Sequence, residues 1–155
     1  ITQGNQFLTE VPGKTVATCR WRQASEQLSP SINLAEGKTV TASSSEGGNN
    51  ASYATDGNFR TRWASNWNDN EWISVDLGSS IEIDRIILDW EDAYGKEYLV
   101  QVSEDGTNWK TLYHEMFGFQ GEHAYYAGIT GRYVKMNGIH RGTGWGYSLF
   151  EFKIY

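Results

Sequence analysis

The sequence predicts an all-β sandwich, and three observations carry that prediction. Apolar residues recur at every second position in several stretches after residue 72. Turn-forming pairs such as Asp105-Gly106 lie between them. Both prolines, Pro12 and Pro30, precede these stretches, so no ladder there lacks a donor. A period of two places alternate side chains on one face, as a half-buried strand requires.

The elements follow in order. Residues 1–31 have mixed polarity and no sustained period, and read as a linker or the tail of a preceding region, with a short strand around Thr15–Trp21. The domain proper spans 32–155. A single helical turn near Ala51–Asp56 is its only departure from strands. Ile73, Val75 and Leu77 alternate with Trp72, Ser74 and Asp76. Ile86, Leu88 and Trp90 form a second apolar face, and Tyr98, Val100 and Val102 a third. Asp105-Gly106 reads as the hairpin turn into Trp109–Leu112, because glycine tolerates positive φ. Phe150, Phe152 and Ile154 close the chain as a last strand with Glu151, Lys153 and Tyr155 on its other face.

Composition bounds the function. A length of 155 residues is one domain. No apolar run approaches the roughly 18 residues of a membrane span, and no signal peptide is visible at the start of the sequence. The net charge of −6 argues against nucleic acid, polyanionic glycans and anionic membranes, and suits neutral or cationic partners. One cysteine, Cys19, allows no internal disulfide, so stability rests on packing and any bound metal. Seven Trp and nine Tyr exceed what a core of this size needs, which leaves aromatics for surface loops. Trp63 and Trp90, in strand-like contexts, are expected in the core. His114, His123 and His140 show no metal-ligand spacing and are expected on the surface.

The run Ala54–Gly78 gathers three signals. Asp56-Gly57-Asn58 with Thr61 forms an oxygen-rich loop, which suits either a hard cation or a simple Asx-turn capped by Asp56. Arg62, Trp63 and Trp67 set a guanidinium beside flat aromatic faces. Trp72–Leu77 then enters a strand. Aromatics presented by a stiff loop on a β-scaffold match the apolar face of a sugar ring.

Several of these segments occur together and in one order: Asn33-Leu34-Ala35, Thr41-Ala42-Ser43-Ser44, Ala54-Thr55-Asp56-Gly57, Arg62-Trp63, Trp72–Gly78 and Gln101–Trp109. In this the chain resembles the discoidin domain, also known as the coagulation factor V/VIII C domain, and in particular carbohydrate-binding module family 32. The resemblance covers residues 32–155. It implies a jelly-roll β-sandwich of about eight strands, with termini close together and recognition loops at one end. It also implies a structural calcium ion, with ligands at the Tyr53 carbonyl, Asp56, Asn58, Thr61, the Phe150 carbonyl and Glu151.

The chain lacks the His/Arg/aromatic set of galactose binders and is instead similar to the subgroup that binds chitosan or β-glucan. That likeness implies ligand contacts from Glu46, Arg62, Trp67 and Glu91. The loops carrying Tyr94, Arg141, Trp145 and Tyr147 are also similar to that subgroup's. The chemistry is coherent: aromatics stack on pyranose faces, Arg62 donates a fork of hydrogen bonds, and the glutamates accept from hydroxyls or pair with a glucosamine ammonium. Each residue also has an ordinary structural role open to it. Arg62 could pair with a neighbouring carboxylate, Glu46 could be a solvated loop charge, and Trp145 and Tyr147, between glycines, serve loop packing equally well.

The expected function is a non-catalytic, monomeric module that binds polysaccharide or oligosaccharide, is attached to a glycan-active enzyme and is secreted. Two other classes are open: a discoidin domain for protein or membrane adhesion, and a glycosidase with two glutamates as acid and nucleophile. A short chain with an open sandwich end disfavours the glycosidase. Acidic candidate loops disfavour anionic lipid.

Overall fold

A computed structural model describes residues 31–155, so the expected linker and its strand at 15–21 lie outside the described residues. The elements are β1 (Thr39–Ala42), a 3-10 turn (Ala51–Thr55), β2 (Trp63–Ala64), β3 (Trp72–Trp90), β4 (Gly95–Ser103), β5 (Lys110–Glu115), β6 (Gly121–Arg141) and β7 (Ser148–Ile154). All pairings are antiparallel, in the order β2-β7-β3-β6-β4-β5, with β1 also on β3. Among the described residues no helix is long and apolar enough to cross a membrane.

Two long strands build both layers of the sandwich. The first part of β3, Trp72–Asp76, pairs with Tyr133–Asn137 of β6, and β1 lies on its other side. The second part, Ile81–Trp90, pairs with Gly121–Gly131 of β6, and Ile86–Trp90 also pair with β7. The register breaks between Asp76 and Ile81, where Gly78 takes φ 88°. A residue with a Cβ is strained there, so glycine lets the strand turn from one layer to the other. Asp76 pins the bend. Its carboxylate accepts from Arg132 Nε at 2.7 Å, Arg132 Nη2 at 2.8 Å and the Gly78 amide at 2.8 Å. The Arg132 hydrogen bonds hold this carboxyl below its ordinary pKa. The alternations at Trp72–Leu77 and Ile86–Trp90 therefore belong to one bent strand.

The core forms where the alternating faces meet. Ile73, Val75, Leu77, Ile86, Leu88, Tyr98, Val100 and Val102 are all buried, as are Trp63 and Trp90. Two expectations fail here. His123 is buried rather than exposed: its Nε2 donates to the Phe119 carbonyl at 2.9 Å and its Nδ1 lies 3.3 Å from the Tyr98 hydroxyl. A half-apolar ring with two satisfied nitrogens is a stable interior group. The period of β7 also slips. Asp89 pairs with Glu151 but Trp90 pairs with Leu149, so Phe150 is an extra residue in a bulge. Leu149 takes the core position, Phe150 is only half-buried, and Glu151 is turned into the protein.

The two ends of the described chain meet at one point. The Leu34 amide donates to the Ile154 carbonyl at 2.7 Å, and Asn33 Oδ1 accepts from the amides of Ala35 and Ile154. The other end of β7, at Ser148, reaches the loops described next.

Candidate functional site

Four loops converge where β2 and β7 pair. The Ser65 amide donates to the Tyr147 carbonyl at 2.9 Å, and Ser65 Oγ accepts from the Tyr147 amide at 2.9 Å. The Ser148 amide donates to Ala93 and the Glu91 amide to Ser148. The Glu46 amide donates to Ala64 at 2.8 Å. Gly146 permits this closeness, since a Cβ there would sit 2.5 Å from the Ser65 carbonyl oxygen. The result is a cleft of about 390 Å³ whose walls include Glu46, Arg62, Glu91, Asp92 and Trp145. Trp67 shares a neighbouring hollow with Glu46. Its ring meets Trp145 edge to face at 4.9 Å and 89°. Both indoles face water, with 51% of Trp67 and 59% of Trp145 exposed. An aromatic pair held in fixed orientation at a rim is a ready stacking surface.

Arg62 makes no ion pair among the described residues, and its buried Nε has no hydrogen-bond partner. The ordinary role of pairing with a neighbouring carboxylate is thus not the one it takes. Glu91 anchors its own loop, accepting from the Ala93 amide at 3.1 Å.

The other expected contacts are placed differently. Tyr147 is a correction: its ring is fully buried and its hydroxyl donates to the Asp69 carbonyl at 2.6 Å, so it cannot stack on a ligand. Of the two roles that its place among glycines leaves open, loop packing is the one Tyr147 takes, with the ring folded inward. Tyr94 packs over Gly142, where a Cβ would approach its ring to 2.1 Å, and does not line the cleft. Arg141 is committed to the protein. Its Nε donates to Asp69 Oδ1 at 2.8 Å and its Nη1 to the Trp145 carbonyl at 3.2 Å, so it clamps the loop that carries Trp145. The Arg141 hydrogen bonds also hold the Asp69 carboxyl below its ordinary pKa.

Sequence reasoning missed Glu71. It is buried, and its carboxylate accepts from Ser43 Oγ, from Ser44 Oγ at 2.6 Å and from Asn68 Nδ2 at 3.0 Å. Burial raises its pKa, but the three hydrogen bonds outweigh burial and leave it lowered. Glu71 thereby ties the Trp67 loop to the segment before Glu46. Asp69 was missed with it. Neither residue sits in a recognisable motif, and apart from Asn68 beside Glu71 their side-chain partners lie 27 to 72 positions away in sequence.

The cation loop lies beside the 3-10 turn. Asp56 Oδ1 accepts from the Asn58 amide at 2.9 Å, and the Thr61 hydroxyl lies 2.8 Å from Asp56 Oδ2 and 2.7 Å from the Asn58 carbonyl. The Asx-turn is therefore present. It does not account for Glu151, whose side chain faces the same loop. Glu151 is 1% exposed, and neither carboxylate oxygen has a hydrogen-bond partner among the described residues. Burial, and then the Asp56 charge, push its pKa up to about 7; the amides of Asn58 and Gly57 offset part of this without closing a hydrogen bond. Among the described residues there is no group of three or more His, Cys, Asp or Glu arranged to hold a metal. A hard cation here would therefore need hydroxyl, amide and main-chain oxygens besides the two carboxylates. Those donors, and an orphaned buried carboxylate, fit calcium chemistry.

A bent antiparallel sandwich with a loop-borne cleft at one end defines a discoidin-type domain. The chain belongs to the F5/8 type C domain family, which it matches over residues 39–152. It is similar to chitosan-binding module 1 of a chitosanase/glucanase from Paenibacillus sp. IK-5, with 47% identity, a TM-score of 0.78 and coverage of 81% of this chain and 99% of that one. Chitosan-binding module 2 of the same enzyme, solved in complex with chitotriose, is 40% identical with a TM-score of 0.77, covering 79% and 99%. A curated relative, a polysaccharide lyase 8 family protein (HylA) of Enterococcus faecalis, is 34% identical over 95 residues, 55% of this chain. The matched stretch spans 7% of that relative's length.

Proposed function

We infer that this domain is a non-catalytic module that binds β-linked glucosamine or glucose chains in the cleft between Glu46 and Glu91. The observation that carries this reading is the juxtaposition of an unpaired Arg62, two glutamates and an exposed Trp67–Trp145 pair around one opening. The indoles offer faces to pyranose rings, and Arg62 offers donors to ring and hydroxyl oxygens. The glutamates accept from hydroxyls or pair with ammonium groups, where charge strengthens each bond. The likeness to two chitosan-binding modules supports the amine-bearing polymer. A structural calcium is part of the reading. Asp56, Asn58, Thr61 and Glu151 would hold it with the Tyr53 and Phe150 carbonyls, stiffening the loop that leads into Arg62. The module would act outside the cell, joined to a glycan-active enzyme.

Calorimetry against glucosamine, β-1,3-glucan, mannan and galactoside oligomers tests the ligand class. A shallow single site predicts dissociation constants between about 10 μM and 1 mM. Glu91→Ala should weaken glucosamine oligomers about tenfold and glucan oligomers much less, because only the former lose a charge-assisted partner. Equal losses on both would remove ammonium pairing. Incubation with either polymer should release no reducing ends above background; sustained product release would make the domain an enzyme.

A further inference from the structure

A second surface adjoins the cleft and is not used by it. The loop between β5 and β6 carries Met116, Phe117 and Phe119, which are 54%, 80% and 61% exposed. Three large apolar side chains in water within four positions would ordinarily signal a loose loop. This loop is tied down at consecutive residues. The Phe117 amide donates to Glu115 Oε1 at 3.0 Å, and the Gly118 amide to the Lys96 carbonyl at 2.9 Å. The Phe119 carbonyl accepts from His123 Nε2 at 2.9 Å. Gln120 Nε2 donates to Asp92 Oδ1, and Asp92 is itself a wall of the cleft. Gly118 is pressed so closely on β4 that a Cβ would meet the Gly95 carbonyl oxygen at 2.1 Å. The ring of Phe119 also stands on that of His123, with centroids 4.2 Å apart. The backbone is fixed while the side chains face outward. Such a patch marks an interaction site whose ordering was completed before any partner arrives.

The surroundings select the partner. Asp92 and Glu115 hold the loop through Gln120 and the Phe117 amide, and no Lys or Arg occurs between Thr111 and Gly131; Glu122, just beyond the loop, pairs with Lys153 at 3.4 Å. Lys96 gives the loop its carbonyl. Flat apolar rings set among carboxylates match a pyranose chain bearing ammonium groups, and disfavour an anionic lipid surface. The Asp92–Gln120 hydrogen bond makes the loop continuous with the cleft. We propose that the Met116–Gln120 loop is a second platform for the same glycan, receiving glucosamine units that extend past Asp92 from the cleft. This rests on the cleft's reading as a glucosamine or glucan site.

The test uses the full chain and glucosamine oligomers of increasing length, followed by calorimetry, with chitosan polymer as the longest ligand. The double variant Phe117→Ala/Phe119→Ala removes two largely exposed rings together with the Phe119 contact to His123, and its melting temperature and its affinity for the dimer check its fold. It should lose about tenfold in affinity for long oligomers and polymer, and less than twofold for the dimer. Phe119→Trp should keep long-chain affinity at the wild-type level or above. Unchanged polymer affinity in the double variant would overturn the platform. Equal losses at every length would overturn it too, making the loop a support for Asp92. Variant-sensitive binding to phosphatidylglycerol vesicles, or variant-sensitive dimerisation in ultracentrifugation, with polymer affinity intact would assign the loop to another occupant. If the wild-type protein bound no glucosamine oligomer at all, the cleft reading itself would fail, which is distinguishable from failure of the loop alone.

Discussion

Removal of calcium should lower the melting temperature of this domain by about 10 °C at pH 8. The expectation follows from Glu151. Its carboxylate is buried, has no hydrogen-bond partner among the described residues and faces Asp56, so burial and that charge push its pKa up to about 7 from an ordinary 4.5 in the folded protein without metal. The sign follows directly. A carboxylate whose pKa is raised by folding contributes no penalty below the unfolded value, and stability is lost as pH rises from 4.5 through about 7. Above that window the burial of charge costs about 3 kcal/mol. A divalent cation between Asp56 and Glu151 removes the penalty and adds its own binding energy. Thermal unfolding in EDTA should therefore show stability falling between pH 5 and 8, and added calcium should flatten that profile. Glu151→Gln should abolish the calcium response and melt above the wild-type protein in EDTA at pH 8. A wild-type melting temperature indifferent to EDTA and calcium at pH 8 would leave the loop an Asx-turn and sink the cation.

Replacing Arg62 with alanine should reduce glycan affinity by up to about 100-fold, the value of losing hydrogen bonds from a charged donor. Among the described residues the guanidinium lines the cleft and pairs with no carboxylate, which leaves donors for a ligand besides the buried Nε. The loss should fall on glucosamine and glucan oligomers alike, because ring and hydroxyl oxygens are common to both. That contrasts with Glu91→Ala, whose effect is selective for the amine. Arg62→Lys should restore little, since an ammonium keeps the charge but not the planar fork. The melting temperature should shift by only a few degrees, because no internal ion pair is broken. Affinity within threefold of wild type in Arg62→Ala would move the donor role elsewhere.

Much of the scaffold was legible in the sequence because a period of two is a local signal. Ile73–Leu77, Ile86–Trp90 and Tyr98–Val102 needed no knowledge of partners. The failures occur where the period is broken by an added residue or by a distant bond. Ile73–Leu77 and Ile86–Trp90 stand as separate apolar faces in the sequence, yet they belong to one continuous strand bent at Gly78 and held by Arg132 from β6. The bulge at Phe150 reverses the face of Glu151, and no local pattern announces it. The cleft was legible in its chemistry-bearing residues and illegible in its supports. Glu46, Arg62, Trp67, Glu91 and Trp145 come together as flat or charged groups on loops. Tyr147 and Arg141 share that appearance, but each is committed to Asp69, a partner more than seventy positions away. Phe117 and Phe119 drew no notice, since exposed phenylalanine in a short loop has no motif.

The meeting of Asn33 and Ile154, at the two ends of the described residues, has a mechanical consequence. Ile154 and Ser148 are opposite ends of β7, six residues and so roughly 20 Å apart. A polymer held in the proposed cleft would drag on the Ser148 end, and a tether joined beside Ile154 would drag on the other. The load then runs along β7, parallel to the strand and across its hydrogen bonds to β3. Ladder bonds stressed in that direction share the force and yield together, whereas bonds pulled open from one end yield singly. Grip on a polysaccharide under flow would be borne by the stiffest line through this sandwich.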